Sequence, residues 1–535
     1  MRYLFISCLW LLSVAGWAQG TVAPPTDSTR RLEIIKAQRY NFEKVDSLTR
    51  LLSLAGNVQL RQEGTLFYAD SAVLNEVTNV IEAFGNIHIN DGDSLHTYSK
   101  YLRYKGNEKH AYLKTNVRLV DNKGSVLTTN ELNYDMNLGI ADYKSGGKVL
   151  NKKTVLTSKN AKYYEATKDV VFSKEVVLKD PEYNMATDSL QYNSRTEVAT
   201  FIAPTTIING KRKIYTSSGY YDLKNNKAVF GKRPVIEDST YTIVSDDMAF
   251  DDKEGLGQFN GNVVYRDTAS GVAVLSNQLF ANKKNSSFLA TQMPLLILKQ
   301  DQDSVFITAD TLFSGKITTQ LNRSIPIIID TAGKNYIAPD LNGKDSSMNR
   351  FFEAWHHVRI FSDSVQAVAD SMFYAGTDSA FRLFTGPIVW ANESQITADT
   401  MYLFTKNKKA DRLFAYFNGF VINRVQGEAY NQVKGNTINA LFTEGNISYV
   451  RTKGRAESVY YALDDYDKFV GMNKSTADAI DMFFENKKAK RVKFINDLKG
   501  TTYPIRQIPP GENRLKGFNW QDQKRPKSFA ELLGR

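Results

Sequence analysis

The chain has 535 residues, 42% hydrophobic and 23% charged, with a formal net charge of +11, a balance that excludes wholesale disorder. One cysteine and five histidines exclude a disulfide framework or a Cys-based zinc site and leave little for a His-rich metal centre. Aromatic residues reach 12%, with 30 Phe and 28 Tyr against 13 Pro, a mixture that favours an all-β protein.

In chain order, Met1 to Ala18 carries one basic residue, Arg2, an apolar run from Tyr3 to Val14 and the small residues Gly16 and Ala18. This reads as a secretory signal peptide, residues 1–18, and it removes Cys8 with it. No later segment offers 18 consecutive apolar residues, so the expectation is a soluble chain in the periplasm or outside the cell, possessing no helical anchor. Loss of Arg2 takes the charge from 68 − 57 = +11 to 67 − 57 = +10. A basic surface of this kind suits phosphate or carboxylate groups, and no nucleic acid is expected as a partner for an exported chain. A lead-in segment, 19–50, follows, with a short helix expected near Asn41 to Leu52.

From residue 51 a pattern repeats about every 29 residues. A polar column runs Asp70, Ser99, Asn130, Lys159, Asp188, Ser218, Asp246, Asn277, Asp310, and later Asp370 and Asp399. An aromatic column keeps the same period through Tyr104, Tyr134, Tyr163, Tyr192, Tyr221, Phe250 and Phe280. A third signature reads Gly56-Asn57-Val58, Gly85-Asn86-Ile87, Thr115-Asn116-Val117, Gly261-Asn262-Val263 and Gly445-Asn446-Ile447. Around it apolar residues alternate: Ile81, Ala83, Ile87 and Ile89 share one face, as do Ala111, Leu113, Val117 and Leu119. Period two over nine or more residues is a strand with one dry face.

Each unit is too small to bury its own apolar face, so neighbours must stack. The expected fold is an all-β, antiparallel stack of two facing sheets built from repeats of about 29 residues. Its boundaries are a first β-repeat region at 51–321, an irregular joint or insertion at 322–350, and a second β-repeat region at 351–500. The tail, 501–535, holds four prolines and seven Lys or Arg residues. It reads as a frayed terminus, with a docking tail as the alternative and a short helix capped by Ser528.

No catalytic motif emerges, and no enzyme activity, metal or cofactor is expected. Asn90-Asp91-Gly92-Asp93-Ser94 has part of a calcium loop but lacks the distal glutamate and falls where a hairpin turn is due. His356-His357 is read as part of the irregular joint, and because adjacent strand residues point to opposite faces the two are not expected to bind one metal. Asp, Asn and Ser exchanging within one column indicate an Asx-type hydrogen bond at a corner, not a row of catalytic carboxylates.

The succession Asp70-Ser71-Ala72, Glu82-Ala83-Phe84-Gly85-Asn86-Ile87-His88-Ile89, together with Leu190-Gln191-Tyr192-Asn193, Phe259-Asn260-Gly261-Asn262-Val263 and Ala398-Asp399-Thr400-Met401-Tyr402, resembles the OstA-like family. That group includes the periplasmic lipopolysaccharide-transport protein LptA and the N-terminal domain of the outer-membrane assembly protein LptD. The resemblance implies a V-shaped β-jellyroll whose interior holds acyl chains. It also implies end strands that pair with other transport-bridge proteins, and an outer-membrane LptD-like protein as a possible partner.

Each CH₂ exposed to water costs about 0.8 kcal/mol, so a fourteen-carbon chain costs roughly 10 kcal/mol without a shield. The function expected is therefore a periplasmic lipid-shielding bridge or scaffold in lipopolysaccharide transport and outer-membrane assembly. Its cargo would be lipopolysaccharide or a similar glycolipid. The expected lipid-binding lining is Ile87, Ile89, Leu113, Val117, Leu119, Phe201, Phe259 and Val263, the plain alternative being that they pack a dry core. A structural or adhesive surface β-solenoid and a polysaccharide-acting β-helix enzyme are the rival readings.

Overall fold

The computed structural model describes residues 32–533 apart from 63, 93–94, 123, 300–303, 318–349, 377–378, 407–408, 465, 467 and 487. The signal peptide, residues 19–31 of the lead-in and residues 322–349 of the joint lie outside the described residues. What is described is all-β with antiparallel pairing, and no helix in it is long and apolar enough to cross a membrane. Contacts divide the chain into two units. The first runs to Val155 with 159–166, and the second holds 156–158 with everything from Thr167.

In the first unit the strands Arg50–Gln62, Thr65–Asn75, Val80–Asp91, Leu95–Lys105, His110–Asp121 and Val126–Asp135 form a meander, each paired with the next. Their turns are stacked. Asn79, Lys109 and Gly139 each take positive φ, 30 residues apart. Gly106 N–H donates to the Asn79 carbonyl at 2.9 Å and Met136 N–H to the Lys109 carbonyl at 2.9 Å. In the second unit the same turn column continues through Lys168, Glu197, Asn226, Gly255 and Ser286, spaced 29, 29, 29 and 31. The period is thus the chain length needed to return to the same turn one rung along.

The expected short helix near Asn41 to Leu52 is not formed. Arg39–Lys44 is a strand paired with Arg50–Ala55. Between them Asp46 closes a turn, its Oδ1 accepting from Leu48 N–H at 2.7 Å. Asp46 terminates any helical run with its own side chain, and the sheet then takes the backbone hydrogen bonds.

The polar column and the Gly-Asn signature are two sides of one corner. In Val80–Asp91 the register slips between Phe84 and Ile87, so two residues stand opposite one on each flanking strand. On one side Asp70 fills that place, its Oδ2 accepting from Asn86 N–H at 2.9 Å and from Asn86 Nδ2 at 3.1 Å. Asp246 bonds Asn262 at 2.8 Å in the same way, and Asp399 bonds Asn418 at 3.0 Å. Gly85 has φ +97 and Gly261 φ +72, and a Cβ on either would run into the side chain of Asp70 or Asp246. Glycine is needed there for conformation and for space.

Two members of the polar column move by one residue. Lys100, not Ser99, occupies the corner place and donates to Asn86 Oδ1 at 2.7 Å. Ser217, not Ser218, lies between the strands Arg212–Thr216 and Ser218–Asp222. Gly445-Asn446-Ile447 is not a corner either. Glu444 and Gly445, both at positive φ, join the strands Ala429–Thr443 and Asn446–Leu463 as a hairpin turn. The joint ends at Arg350, which opens the strand Arg350–Phe361. The corner of that strand is His356-His357, where His356 Nδ1 meets Asp370 at 3.2 Å and His357 Nδ1 meets Asp310 at 2.9 Å.

The tail is docked, not frayed. Gln432 Nε2 donates to the Asn513 carbonyl at 2.9 Å while its Oε1 accepts from Leu515 N–H at 2.8 Å. Gln395 repeats this with the Asn519 carbonyl at 2.8 Å and Gln521 N–H at 2.7 Å. Arg525 Nε reaches Gln366 Oε1 at 2.8 Å, and Phe529 rests on Phe306 with ring centres 4.8 Å apart. The short helix is present as Phe529–Leu532, capped by Ser528, whose side chain accepts from Glu531 N–H.

Candidate functional site

Because side chains alternate along a strand, each rung sends one residue inward at every level. In the first unit one level reads Leu54, Ala72, Ala83, Leu102, Leu113 and Leu132, partners in register and each no more than 3% exposed. In the second unit the corresponding level begins Phe172, Leu190, Phe201, Gly219, Phe230, Met248, Phe259, Leu279. It continues Ala290, Leu312, Ala354, Met372, Leu383, Met401 and Ala415, then Ile438, Thr452 and Ile480. Apart from Gly219, none of these side chains is more than 4% exposed. At about 4.8 Å per strand the row is roughly 80 Å long.

The corners place a second column. The residue just after each two-residue bulge turns into the angle of the bend. Val58, Ile87 and Val117 do this in the first unit, and Val176, Val263 and Val358 in the second, all 1–2% exposed. Opposite them stand small residues: Ala69, Ser99, Thr129, Thr187, Ser276 and Ala369. Three of the four hydroxyls here are satisfied locally, while Ser276 Oγ is buried with no hydrogen-bond partner among the described residues. Ser99 Oγ donates to the Tyr101 carbonyl at 3.1 Å, Thr129 to that of Glu131 at 3.2 Å, and Thr187 to that of Ser189 at 3.2 Å. A branched residue facing a small one fills the inner corner without crowding it.

Seven of the eight expected lining residues are buried: Ile87, Ile89, Leu113, Val117, Phe201, Phe259 and Val263. Leu119 is half-buried. Ile89 and Leu119 share a level through Thr97, while Ile87 and Val117 are corner residues. Phe201 and Phe259 belong to one aromatic run, with Phe201–Phe230, Phe230–Phe250 and Phe250–Phe259 ring centres 5.8, 6.0 and 5.5 Å apart. The repeat pattern in the sequence includes these small residues but does not show that they face the corner valines. Their signal was the small residue directly before each polar-column member, as in Thr129-Asn130, Thr187-Asp188 and Ala369-Asp370.

The electrostatics of the interior are simple. Among the described residues the only buried charged side chains are Arg382 and Asp481. Arg382 alternates with Phe381 and Leu383, and Asp481 with Ile480 and Met482, so both face away from the apolar rows. Asp481 accepts from Arg451 at 2.7 and 2.8 Å and from the Tyr449 hydroxyl at 2.9 Å. Burial works to raise its pKa, but the bonds from Arg451 and Tyr449 outweigh it and hold the carboxyl below its ordinary range. Burial, followed by the Asp481 contact, pushes Tyr449 up to about 12. No described group of three or more His, Cys, Asp or Glu residues is placed to hold a metal ion.

No curated protein matches the chain. Residues 30–188 and 173–246 match the family described as OstA-like protein. Those residues carry the corners at Gly56, Gly85 and Thr115 and the first rungs of both apolar rows, and it is over residues 30–246 that the chain is similar to the OstA-like family.

Proposed function

We propose that this protein is a periplasmic lipid-shielding bridge or scaffold in lipopolysaccharide transport and outer-membrane assembly. In this reading it holds acyl chains between the arms of its corner-bent rungs. The OstA-like family is associated with lipopolysaccharide and lipid transport. The observation that carries the reading is the charge-free interior row, one residue per strand at the same level and all of them apolar apart from Gly219 and Thr452. A conduit needs similar affinity at each step, because one deep site would trap its cargo, and a row of equivalent apolar rungs offers no such trap.

The interior is closed to water in this state, so loading requires the arms to part. Side-chain contacts then exchange for acyl contacts of similar dispersion energy. The first described strands leave an edge for strand addition by a neighbouring transport protein or an LptD-like partner: Arg39–Lys44 pairs with Arg50–Gln62 and all six of its residues are exposed.

A photo-reactive residue at Val117 or Val263 is expected to capture lipid in cells, while the outward Arg118 and Arg266 positions stay unlabelled. Labelling at the outward positions alone would overturn the reading.

A further inference from the structure

Near the end of the second unit, the outward face of the strands Asn446–Leu463, Phe469–Glu485 and Lys488–Ile495 carries a basin of about 690 Å³. Tyr449, Phe483 and Arg491 stand in register across the three strands, and so do Arg451, Asp481 and Lys493. The Tyr449 and Phe483 ring centres are 5.2 Å apart, and the Arg491 guanidinium lies 4.1 Å from the Phe483 ring centre. Asp481 takes the Nε and one terminal nitrogen of Arg451, leaving the other side of that guanidinium to the basin. With three donors on it and almost no exposure, Asp481 orients Arg451 and does not present a free carboxylate. Arg491 and Lys493 are exposed, and neither makes a close ion pair with a carboxylate among the described residues, although the Lys493 charge acts on Asp481 across the strands.

We propose that this basin binds a phosphate monoester group. The charges sum to +2, from Arg451, Arg491 and Lys493 against Asp481, which matches the charge of about −2 on a monoester near neutral pH. A guanidinium stacked on a ring has its orientation set before the anion arrives, so both of its free N–H edges can engage phosphate oxygens at low entropic cost. Tyr449, Phe483 and Leu498 supply an apolar floor for whatever carries the phosphate, a sugar or a lipid headgroup. The basin lies on the opposite face from the apolar row, so the proposal stands or falls separately from the acyl-chain reading.

The test uses the full chain in two arms: calorimetric titration with glucose 6-phosphate, and sedimentation with phosphatidylcholine vesicles carrying phosphatidate or, at equal mole fraction, phosphatidylglycerol. Binding is expected in at least one arm, with phosphatidate preferred to the diester phosphatidylglycerol. The double variant Arg491→Gln, Lys493→Gln is expected to weaken it by about tenfold or more. Both side chains are exposed and unpaired with acids, so the variant should melt as the parent does. Binding only in the glucose 6-phosphate arm assigns a soluble phosphosugar, and binding only in the phosphatidate arm a lipid headgroup. Binding in neither arm, equal binding to both lipids, or binding unchanged in the folded double variant would overturn the proposal.

Discussion

The rungs at Leu95–Lys105 and at Ala380–Thr397 are made by the same rule and end in different states. In Leu95–Lys105 burial alternates: Thr97, Ser99, Leu102 and Tyr104 are buried, while the residues between them are partly or fully exposed. In Ala380–Phe384, Ile388–Ala391 and Ser394–Thr397 nearly every residue is buried, on both faces. The inward level is alike in the two regions. What differs is the outward one, where Gln366, Trp390, Gln395, Ile422, Gln432 and Val459 stand in register and lie under the tail. Around them Phe420, Tyr430, Tyr461 and Met472 pack with Leu515, Phe518 and Trp520 into a second core. A strand with one dry face needs only its neighbours, whereas a strand with two needs a cover.

Glutamine is the device that makes this cover specific. Gln395 and Gln432 each present an acceptor and a donor in the spacing of a peptide group, so each pairs with the tail backbone as another strand would. The tail therefore crosses the rungs with its polar backbone satisfied at these contacts and with Leu515 and Leu532 buried.

The largest expected effect removes the difference between the two regions. Ending the chain after residue 504 uncovers the second core, and the loss of Leu515 and Leu532 alone, at about 2.5 kcal/mol each, costs roughly 5 kcal/mol. Thermal melting should fall and dye binding to exposed apolar surface should rise, while amide exchange protection across 95–135 stays as it was. An unchanged melt would mean that the tail is no cover.

A smaller effect separates outward residues that have a cover from those that do not. Gln432→Ala strands the Asn513 carbonyl and Leu515 N–H in a dry site and should cost about 2–3 kcal/mol in urea unfolding. Arg103→Ala, which removes an exposed ion pair to Glu82 at 3.6 Å, should stay within about 0.5 kcal/mol. Equal costs for the two would erase the contrast.

The smallest effect concerns what the regions share. Asp70→Ala and Asp399→Ala each remove the side-chain bonds that tie a corner, with Asn86 in one case and Asn418 in the other. Each should cost about 1 kcal/mol by the same measurement, since both corners are exposed. A much larger cost at one of them would show that the corners are not equivalent.

The repeat was legible because it is a local rule. Turn, alternation and corner are each written within a dozen residues, as in Val80-Ile81-Glu82-Ala83-Phe84-Gly85-Asn86-Ile87, and a corner that returns every 29 residues announces itself. The off-by-one placements at Ser99 and Ser218 mark the limit of that reading. Ser99 and Lys100 are both polar, and only the hydrogen bond from Lys100 to Asn86 tells which one sits opposite the bulge.

The sequence by itself determined the strand period, the inward face and the absence of charge from it, since all three follow from alternation along one chain. Tertiary structure alone decided the fate of the tail and of the outward glutamines. Ile505, Ile508, Leu515, Phe518, Trp520 and Leu532 keep neither a strand nor a helix period, so nothing local marks Leu515 and Leu532 as buried or the others as partly buried. Leu515 and Leu532 are placed by contact with rungs 83 and 173 residues earlier, through Gln432 and Arg359. Pairing at that distance depends on where the rungs stand in space, which no single stretch of chain encodes.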